Sequence, residues 1–445
     1  MLLAGVLVPG VTAAATLSWF CRTVPAGPPA AAHASRACAV LNRLDLNNLQ
    51  TLEPSQRSDR ILLITLDTLR ADHLSCYGYP RPTTPFIDSV AAEGVRFTRA
   101  FAPMATTAPS HASMLTGLYP LQHRVLKNGG RLSDDVGTLP EILVSAGFET
   151  AGFVSTNRHF AAGNIHQGFR HFDEPAHRGL ELQYRPAEQT LARAHAWLAQ
   201  APPPPRLFLW IHLFDPHKPY VERPAHLDAA TAGNDEAVAA WLDFVRREHH
   251  VDLRPGRARA DGHPDDRLCY DRYDAEIHYL DTCLKAFFDQ TAALGIDDFL
   301  TIIVADHGEG LRVHGWWGHG KQIYNEQVRI PLILRWPDRR FAARTVSTVV
   351  EANDLMPTIL YAAGVDRGTI AEHRALPIEG TPLQGLLAGG ADAGAFGYAF
   401  IQRRQFDEAS RRSGQYEGGE KYALVNADWK YIHWTTDPDE LYHLA

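Results

Sequence analysis

The stretch ILLITLD, residues 61–67, decides the fold. Its first six residues are apolar and partly β-branched, without the polar alternation of a half-exposed strand and too short for a core helix. They read as a strand buried on both faces, ended by an acid. The same pattern returns in LFLWIHLF (207–214), FLTIIVA (299–305) and PLILRW (331–336), with a further strand in ETAGFVS (149–155). Between these runs, apolar residues at spacings of three and four mark helices in FIDSVAAEGV (86–95), near 110–116, in LPEILVSAG (139–147) and from Ala187 to about Ala199. The alternation predicts an α/β fold with a mainly parallel sheet between helices. In such a sheet ligands sit beyond the carboxyl ends of the strands, where Asp67, Asp215, His217, Asp306 and His307 fall.

Working outward, the segment 221–265 is Ala-rich, charged and poorly periodic, and reads as an insertion over the strand ends. After about residue 370 the chain changes to Gly- and Ala-rich connections with strands in YAFIQ, KYALVN and WKYIHW, which predicts a small antiparallel C-terminal subdomain over 371–445. Before Arg60, residues 21–59 have the composition of a linker, and Met1 to Phe20 is a nearly uncharged apolar run. Small residues at Ala13 to Ala15 suit a signal-peptidase site, while about 20 residues also suffice to span a bilayer. Export is expected, to the periplasm or the cell exterior, with cleaved signal peptide and retained membrane anchor both open.

The chain has 445 residues, 45% hydrophobic and 21% charged, enough for a large core. A net charge of -8 supplies no basic footprint, so no nucleic-acid partner is expected. The five cysteines, Cys21, Cys38, Cys76, Cys269 and Cys283, form no CxxC pair and define no metal knot. The 22 histidines exceed what packing needs and invite a metal reading.

Three clusters carry chemistry. In LITLDTLRADHL (63–74), Asp67 directly follows a buried strand and requires a cation, several donors, or a helix N-cap role with a basic partner. In IIVADHGEG (302–310), Asp306 and His307 offer a hard oxygen and an imidazole at the end of another strand. In TTAPSHASMLTG (106–117), Thr107 precedes Pro109 and a helix; capping is the common role of such a threonine, and a hydroxyl at the positive end of the helix dipole also suits an anionic ester. For His123, His159, His212 and His314 a core or surface role is the default reading.

With these pieces in this chain order, the sequence resembles the sulfatase family of the alkaline phosphatase superfamily. The blocks are LDTLRADHLSCYGYPRPTTPFIDSVAAEGVRF (66–97), PSHASMLTG (109–117), DRYDAEIHYLDTCL (271–284), DHGEG (306–310), GHGKQIYNEQVRIPLIL (318–334) and DLMPTILYAAGV (354–365). The resemblance implies an alkaline-phosphatase-like three-layer α/β/α domain over 60–370. It implies one divalent metal ion held by Asp67, Thr107, Asp306 and His307, with Thr107 as nucleophile. His217 would stand near the leaving group, and His111, His319 and Lys321 would contact the substrate's anionic oxygens.

Two departures from the family pattern matter. The consensus has Cys or Ser at Thr107 and Arg at His111, so no formylglycine can form. Asp67–Thr68 and Asp306–His307 replace an acidic pair and an Asp–Asn pair, which shifts the expected ion from Ca toward Mn, Zn or Fe. The expected activity is hydrolysis of sulfate or phosphate esters through a covalent Thr107 intermediate, with phosphoester chemistry favoured. The substrate would be an anionic ester of a small molecule, glycan or lipid headgroup, with membrane tethering through the N-terminus open. The alternatives are a phosphoryl-group transferase of the phosphoethanolamine or phosphoglycerol type, and an inactive sulfatase-like binding protein.

Overall fold

The computed structural model describes residues 57–444 apart from 158, 177–183, 201, 233–235, 237–239, 241–265, 374–376, 388–396 and 405–417. The expected N-terminal signal or anchor, nearly all of the linker and most of the 221–265 insertion lie outside the described residues. No described helix is long and apolar enough to cross a membrane.

The main sheet comprises β1 (Arg60–Leu66), β2 (Val95–Phe101), β3 (Glu149–Val154), β4 (His171–Asp173), β5 (Leu207–Leu213), β6 (Leu300–Ala305), β7 (Arg329–Arg335), β8 (Arg344–Val346) and β9 (Val350–Glu351). Their order is β4-β3-β5-β1-β6-β7-β2-β8, with β9 also on β2. Only β7 runs against its neighbours among these strands, so the sheet is mixed and mainly parallel. The central strands β5, β1 and β6 are buried almost throughout, as the apolar runs require of a sheet covered on both faces. Helices α1 (Pro85–Ala92), α4 (Ala187–Leu198) and α5 (Pro224–Ala230) pack on the long α6 (Asp266–Ala293); α2 (Thr107–Thr116) packs with α3 (Leu139–Ser145) and α7 (Leu355–Ala362). These two helical groups with the sheet between them give the expected three layers.

Register positions the site. Leu66 stands opposite Leu213 on one side and Ala305 on the other. Asp67 N then donates to Leu213 O (3.0 Å) and Asp306 N to Leu66 O (3.3 Å), so the two acids leave adjacent strands at the same level.

The C-terminal sheet is antiparallel, β10 (Ala399–Arg403), β11 (Lys421–Val425), β12 (Trp429–Trp434) and β13 (Glu440–His443), in that order. Its inner residues Ala399, Ile401, Ala423, Val425 and Ile432 share one apolar cluster with Phe101, Ala105, Ile323, Val328 and Val349 of the main domain. The expected boundary at 370/371 falls inside a helix, Arg367–Glu372.

Of the elements the sequence left unread, three show why. In β2 a register shift between Phe97 and Ala100 breaks the two-residue period. In α6 the buried acids Asp274, Glu276 and Asp281 interrupt the apolar stripe. The strand β13 is only four residues long, with Leu441 exposed.

A buried carboxyl joins the two sheets. Glu351 accepts from the Tyr119 hydroxyl (2.6 Å) and from Phe400 N of β10 (2.7 Å), and its own N–H donates to Asp354 (2.8 Å). Burial, and then the charge of Asp354, push Glu351 up to about 8. An unfolded glutamate titrates near 4.3, so between that pH and about 8 the folded state holds a proton that the unfolded state has released. Stability therefore falls as pH rises through this window. The melting temperature is expected to decline from pH 5 to pH 8, and Glu351→Gln to flatten that slope; a Glu351→Gln profile parallel to the wild type would refute the assignment.

Candidate active site and metal centre

Asp67 follows β1 at the carboxyl ends of β1, β5 and β6, fully buried, with no hydrogen-bond partner on either carboxylate oxygen. It is not an N-cap, and the bases nearest its oxygens are the His307 and His212 rings, beyond hydrogen-bond distance. Asp306 Oδ1 accepts from the N–H groups of Thr68 (3.2 Å) and His307 (2.8 Å), while its Oδ2 is likewise buried and unpartnered. His307 Nδ1 donates to Gly308 O (3.0 Å), which leaves the neutral ring's Nε2 lone pair facing both acids. That nitrogen is 3.8 Å from Asp67 Oδ1 and 3.4 Å from Asp306 Oδ2.

Burial, then the charge of Asp306, push the Asp67 carboxyl well above the usual carboxylate range, and burial raises Asp306 as well. Two unpaired carboxyls this close are unfavourable without a counter-charge. One atom from each of Asp67, Asp306 and His307 lies within 4.8 Å of the others. Orphaned oxygens and an imidazole lone pair converging in this way fit a divalent ion.

Thr107 completes the group. The N-cap of α2 is Thr106, so Thr107 is the first helical residue, and its hydroxyl lies 3.4 Å from His307 Nε2 instead of closing on its own backbone. The following N–H, of Ala108, is satisfied by Asn128 Oδ1 (2.9 Å), and Ser110 Oγ donates to Asp306 O (2.7 Å), tying α2 to the end of β6.

The loop after β1 is held under strain. Thr68, a β-branched residue, has φ 58°. Tyr273 of α6 donates to Thr68 O (2.7 Å) and accepts from Arg70 N (3.0 Å). Buried Arg70 grips both oxygens of Asp72 and donates to Glu309 O (3.3 Å). In DHGEG, a Cβ at Gly308 would stand 2.1 Å from Glu326 O, so only glycine allows the approach.

Beside the acids stand further histidines. His319 packs 4.4 Å from His307 between ring centroids, and His217 packs 4.9 Å from His319 and stacks on Phe214 at 4.2 Å. His217 Nδ1 donates to Lys218 O, leaving Nε2 as an acceptor, and burial followed by His319 lowers its pKa to about 3. His319 Nδ1 is 3.5 Å from Glu309 Oε2. Burial alone would raise Glu309; His319 beside it, by charge and hydrogen bonding, and then Lys218 help to outweigh burial and hold the carboxyl at about 2. Burial, then Lys218, lowers the half-buried Lys321.

The structure thus brings together Asp67, Thr107, Asp306, His307, His319 and His217, with Lys321 beside Lys218 and Glu309. Two sequence-derived candidates are engaged by the protein itself. Asp215 pairs with Arg223 (3.0 Å), which also binds Glu276. His111 has both ring nitrogens engaged, with Thr107 O (2.8 Å) and Thr65 Oγ1 (3.0 Å), so it braces α2 against β1 while its Nδ1 stands 3.7 Å from Asp306 Oδ2. The imidazole is shorter than the arginine it replaces and is closed in by Phe160 and Trp210.

Among the histidines given the default reading, His123 is a core residue bonded to Ser113 and Val125 N, and His314 pairs with Glu326. His212 departs from it: fully buried on β5, its Nε2 is 3.7 Å from Asp67 Oδ2. His159 acts electrostatically on His111, His212 and His307. No motif marked either one, since His212 sits inside an apolar strand and His159 in an irregular segment.

This geometry coincides with a family match: residues 59–365 fit the family model described as Sulfatase. The chain belongs to the sulfatase family. It is accordingly an ester hydrolase of that family, acting on sulfuric or phosphoric esters. It is 26% identical over 393 residues to the multifunctional alkaline phosphatase superfamily protein PehA of Trinickia caryophylli, covering 71% of this chain and 76% of that one. It is 23% identical over 462 residues to the N-acetylglucosamine-6-O-sulfatase of Bacteroides thetaiotaomicron, covering 87% and 80%. The phosphonate monoester hydrolase of Agrobacterium radiobacter superposes with a TM-score of 0.68 at 22% identity, over 86% of this chain and 89% of that one. The sulfatase fold here is therefore alkaline-phosphatase-like.

Proposed function

We propose that this protein hydrolyses phosphate esters through a covalent intermediate on Thr107. The observation that carries the reading is the Thr107 hydroxyl at the start of α2, 3.4 Å from His307 Nε2 and beside the orphaned oxygens of Asp67 and Asp306. These residues would hold one divalent ion, with the imidazole favouring Mn, Zn or Fe over Ca. Such an ion would lower the hydroxyl's pKa and offset charge on the transferred group.

In the first displacement Thr107 Oγ gives up its proton and bonds to the central atom, the bond from that atom to the ester oxygen breaks, and the proton leaves on the departing alcohol. In the second, water oxygen attacks the same atom, the bond to Thr107 Oγ breaks, and the threonine regains its proton. His217 is neutral near pH 7, and its Nε2 is an acceptor that could orient that water. His319 and Lys321 would bind the anionic oxygens, and His111 would act as a brace for the helix that carries Thr107. Threonine has a single oxygen, so release requires this second displacement, which supports phosphorus over sulfur as the central atom. The family's phosphonate monoester hydrolase fold and its sugar-sulfatase relative bracket the range of anionic esters. The apolar run Met1–Phe20 supports placing the activity outside the cytoplasm.

A panel of 4-nitrophenyl phosphate, bis(4-nitrophenyl) phosphate and 4-nitrophenyl sulfate tests the ordering. Metal-loaded protein should turn over its best phosphate ester faster than the sulfate. The reverse order would overturn the phosphoester reading, and no turnover of any of the three with metal bound would favour a binding protein.

A further inference from the structure

All four strands of the C-terminal sheet reach the segment 321–325, directly after His319. Arg403 of β10 donates to Lys321 O (3.1 Å). Lys421 of β11 donates to Gln322 Oε1, with its ammonium 3.1 Å over the Trp434 ring centroid. Lys430 of β12 donates to Asn325 Oδ1 (2.8 Å), and Glu440 of β13 accepts from the Tyr324 hydroxyl (3.0 and 3.1 Å). Between these polar contacts, Ile323 inserts into the apolar cluster shared with β10, β11 and β12. Arg403, Lys421 and Lys430 are each no more than 2% exposed. Cations are rarely buried so completely unless a specific contact repays the desolvation.

The same sheet touches the other side of the site. Gln402 N donates to Pro103 O (2.9 Å), four residues before Thr107. The segment also closes on that loop: a Cβ at Gly320 would lie 3.3 Å from both Ala105 O and Thr106 Oγ1. One sheet therefore contacts both the approach to the nucleophile and the segment carrying His319 and Lys321.

We propose that the C-terminal sheet sets the distance between Thr107 and the His319/Lys321 loop, with Arg403, Lys421, Lys430 and Glu440 as its positioning residues. This rests on the reading that His319 and Lys321 bind the substrate's anionic oxygens. The sheet itself touches no reacting atom. Its contribution is geometric, and a displacement of about 1 Å in such a loop is enough to cost one to two orders of magnitude.

The test uses the full-length, metal-loaded chain, with inorganic phosphate as the calorimetric probe and 4-nitrophenyl phosphate for kinetics. Lys421→Met and Lys430→Met replace each buried cation by an apolar side chain of similar length. Both should raise the phosphate Kd and the KM about tenfold or more, with kcat changed far less and with metal content and melting temperature near wild type. Lys421→Arg should restore most of the affinity. Tyr324→Phe removes the Glu440 contact from the loop side without disturbing a buried cation, and should shift Kd in the same direction; it decides the matter if a lysine variant does not fold. Lys321→Ala separates the two levels of the account. If it weakens phosphate binding while the Met variants and Tyr324→Phe do not, the positioning role is overturned and the substrate-loop reading stands. If Lys321→Ala leaves phosphate binding unchanged, the reading beneath it fails. Variants that lose metal, melting temperature, kcat and KM together would show a merely structural role and also overturn the proposal.

Discussion

Thr107→Ala is expected to lower turnover by roughly four to six orders of magnitude, as when an attacking atom is removed from a covalent-catalysis site. The fold should persist. Thr107 Oγ1 makes one long contact, to His307 at 3.4 Å, and the helix start is secured by other groups: Thr106 O receiving Ser110 N, Asn128 on the Ala108 N–H, and Ser110 Oγ on Asp306 O. The backbone carbonyl of Thr107, which receives His111 Nδ1, is untouched by the substitution. Metal content should also survive, since Asp67, Asp306 and His307 remain. Thr107→Ser keeps a hydroxyl at the same point and should retain measurable turnover. Activity assays beside metal analysis and a thermal melt give the comparison; a Thr107→Ala protein within tenfold of wild type would exclude threonine as nucleophile.

Asp306→Ala is expected to abolish stoichiometric metal binding and turnover together. The reason lies in the orphaned oxygens. Asp67 and Asp306 are buried side by side, each raised by burial and Asp67 further by its neighbour's charge, so the metal-free site is destabilised by repulsion. An ion that binds only the folded state at a hundred times its Kd stabilises it by about 2.7 kcal/mol. Chelator should therefore lower the wild-type melting temperature and leave that of Asp306→Ala unchanged. Relative to metal-free wild type the variant gains relief from the repulsion with Asp67 and loses the bonds of Thr68 N and His307 N to Asp306 Oδ1, so the readout is the shift that chelator produces, not the absolute melting temperature. An Asp306→Ala protein that binds as much metal as wild type, or a wild type that takes up none under any loading condition, contradicts the assignment.

The parts of the molecule that were readable in advance share one property: their physics is local. A run such as ILLITL can be satisfied only by burial on both faces, and an acid directly after it must leave the sheet at its carboxyl edge. Asp67, Asp306 and the strands that carry them followed from that, whereas the C-terminal strands read from short strand-like runs, of which β11 and β12 alternate in burial. What was not readable depends on contacts distant in sequence. His212 is 147 residues from the Thr65 hydroxyl it approaches, and only the register of β5 against β1 brings it beside Asp67. Glu309 and Arg70 carry no local signal of burial; Arg70 binds Asp72 and reaches across to Glu309 O, and Glu309 faces His319 later in its own connection. His111 is a mixed case: the resemblance implied a contact to substrate, and the structure shows its ring under Phe160 and Trp210, bonded to Thr107 O and Thr65 Oγ1 and 3.7 Å from Asp306 Oδ2. Asp215 stood at the right edge of the sheet, yet Arg223 from the following segment claims it.

The most direct test of the central claim is chemical trapping of the intermediate. Metal-loaded protein would be mixed with 4-nitrophenyl phosphate, quenched in acid during turnover, digested, and analysed by peptide mass spectrometry. The account predicts a phosphoryl group on the peptide containing Thr107, absent from Thr107→Ala and from chelated enzyme. Sustained turnover with no phosphorylated Thr107 at any quench time, or the phosphoryl group on another residue, would contradict it.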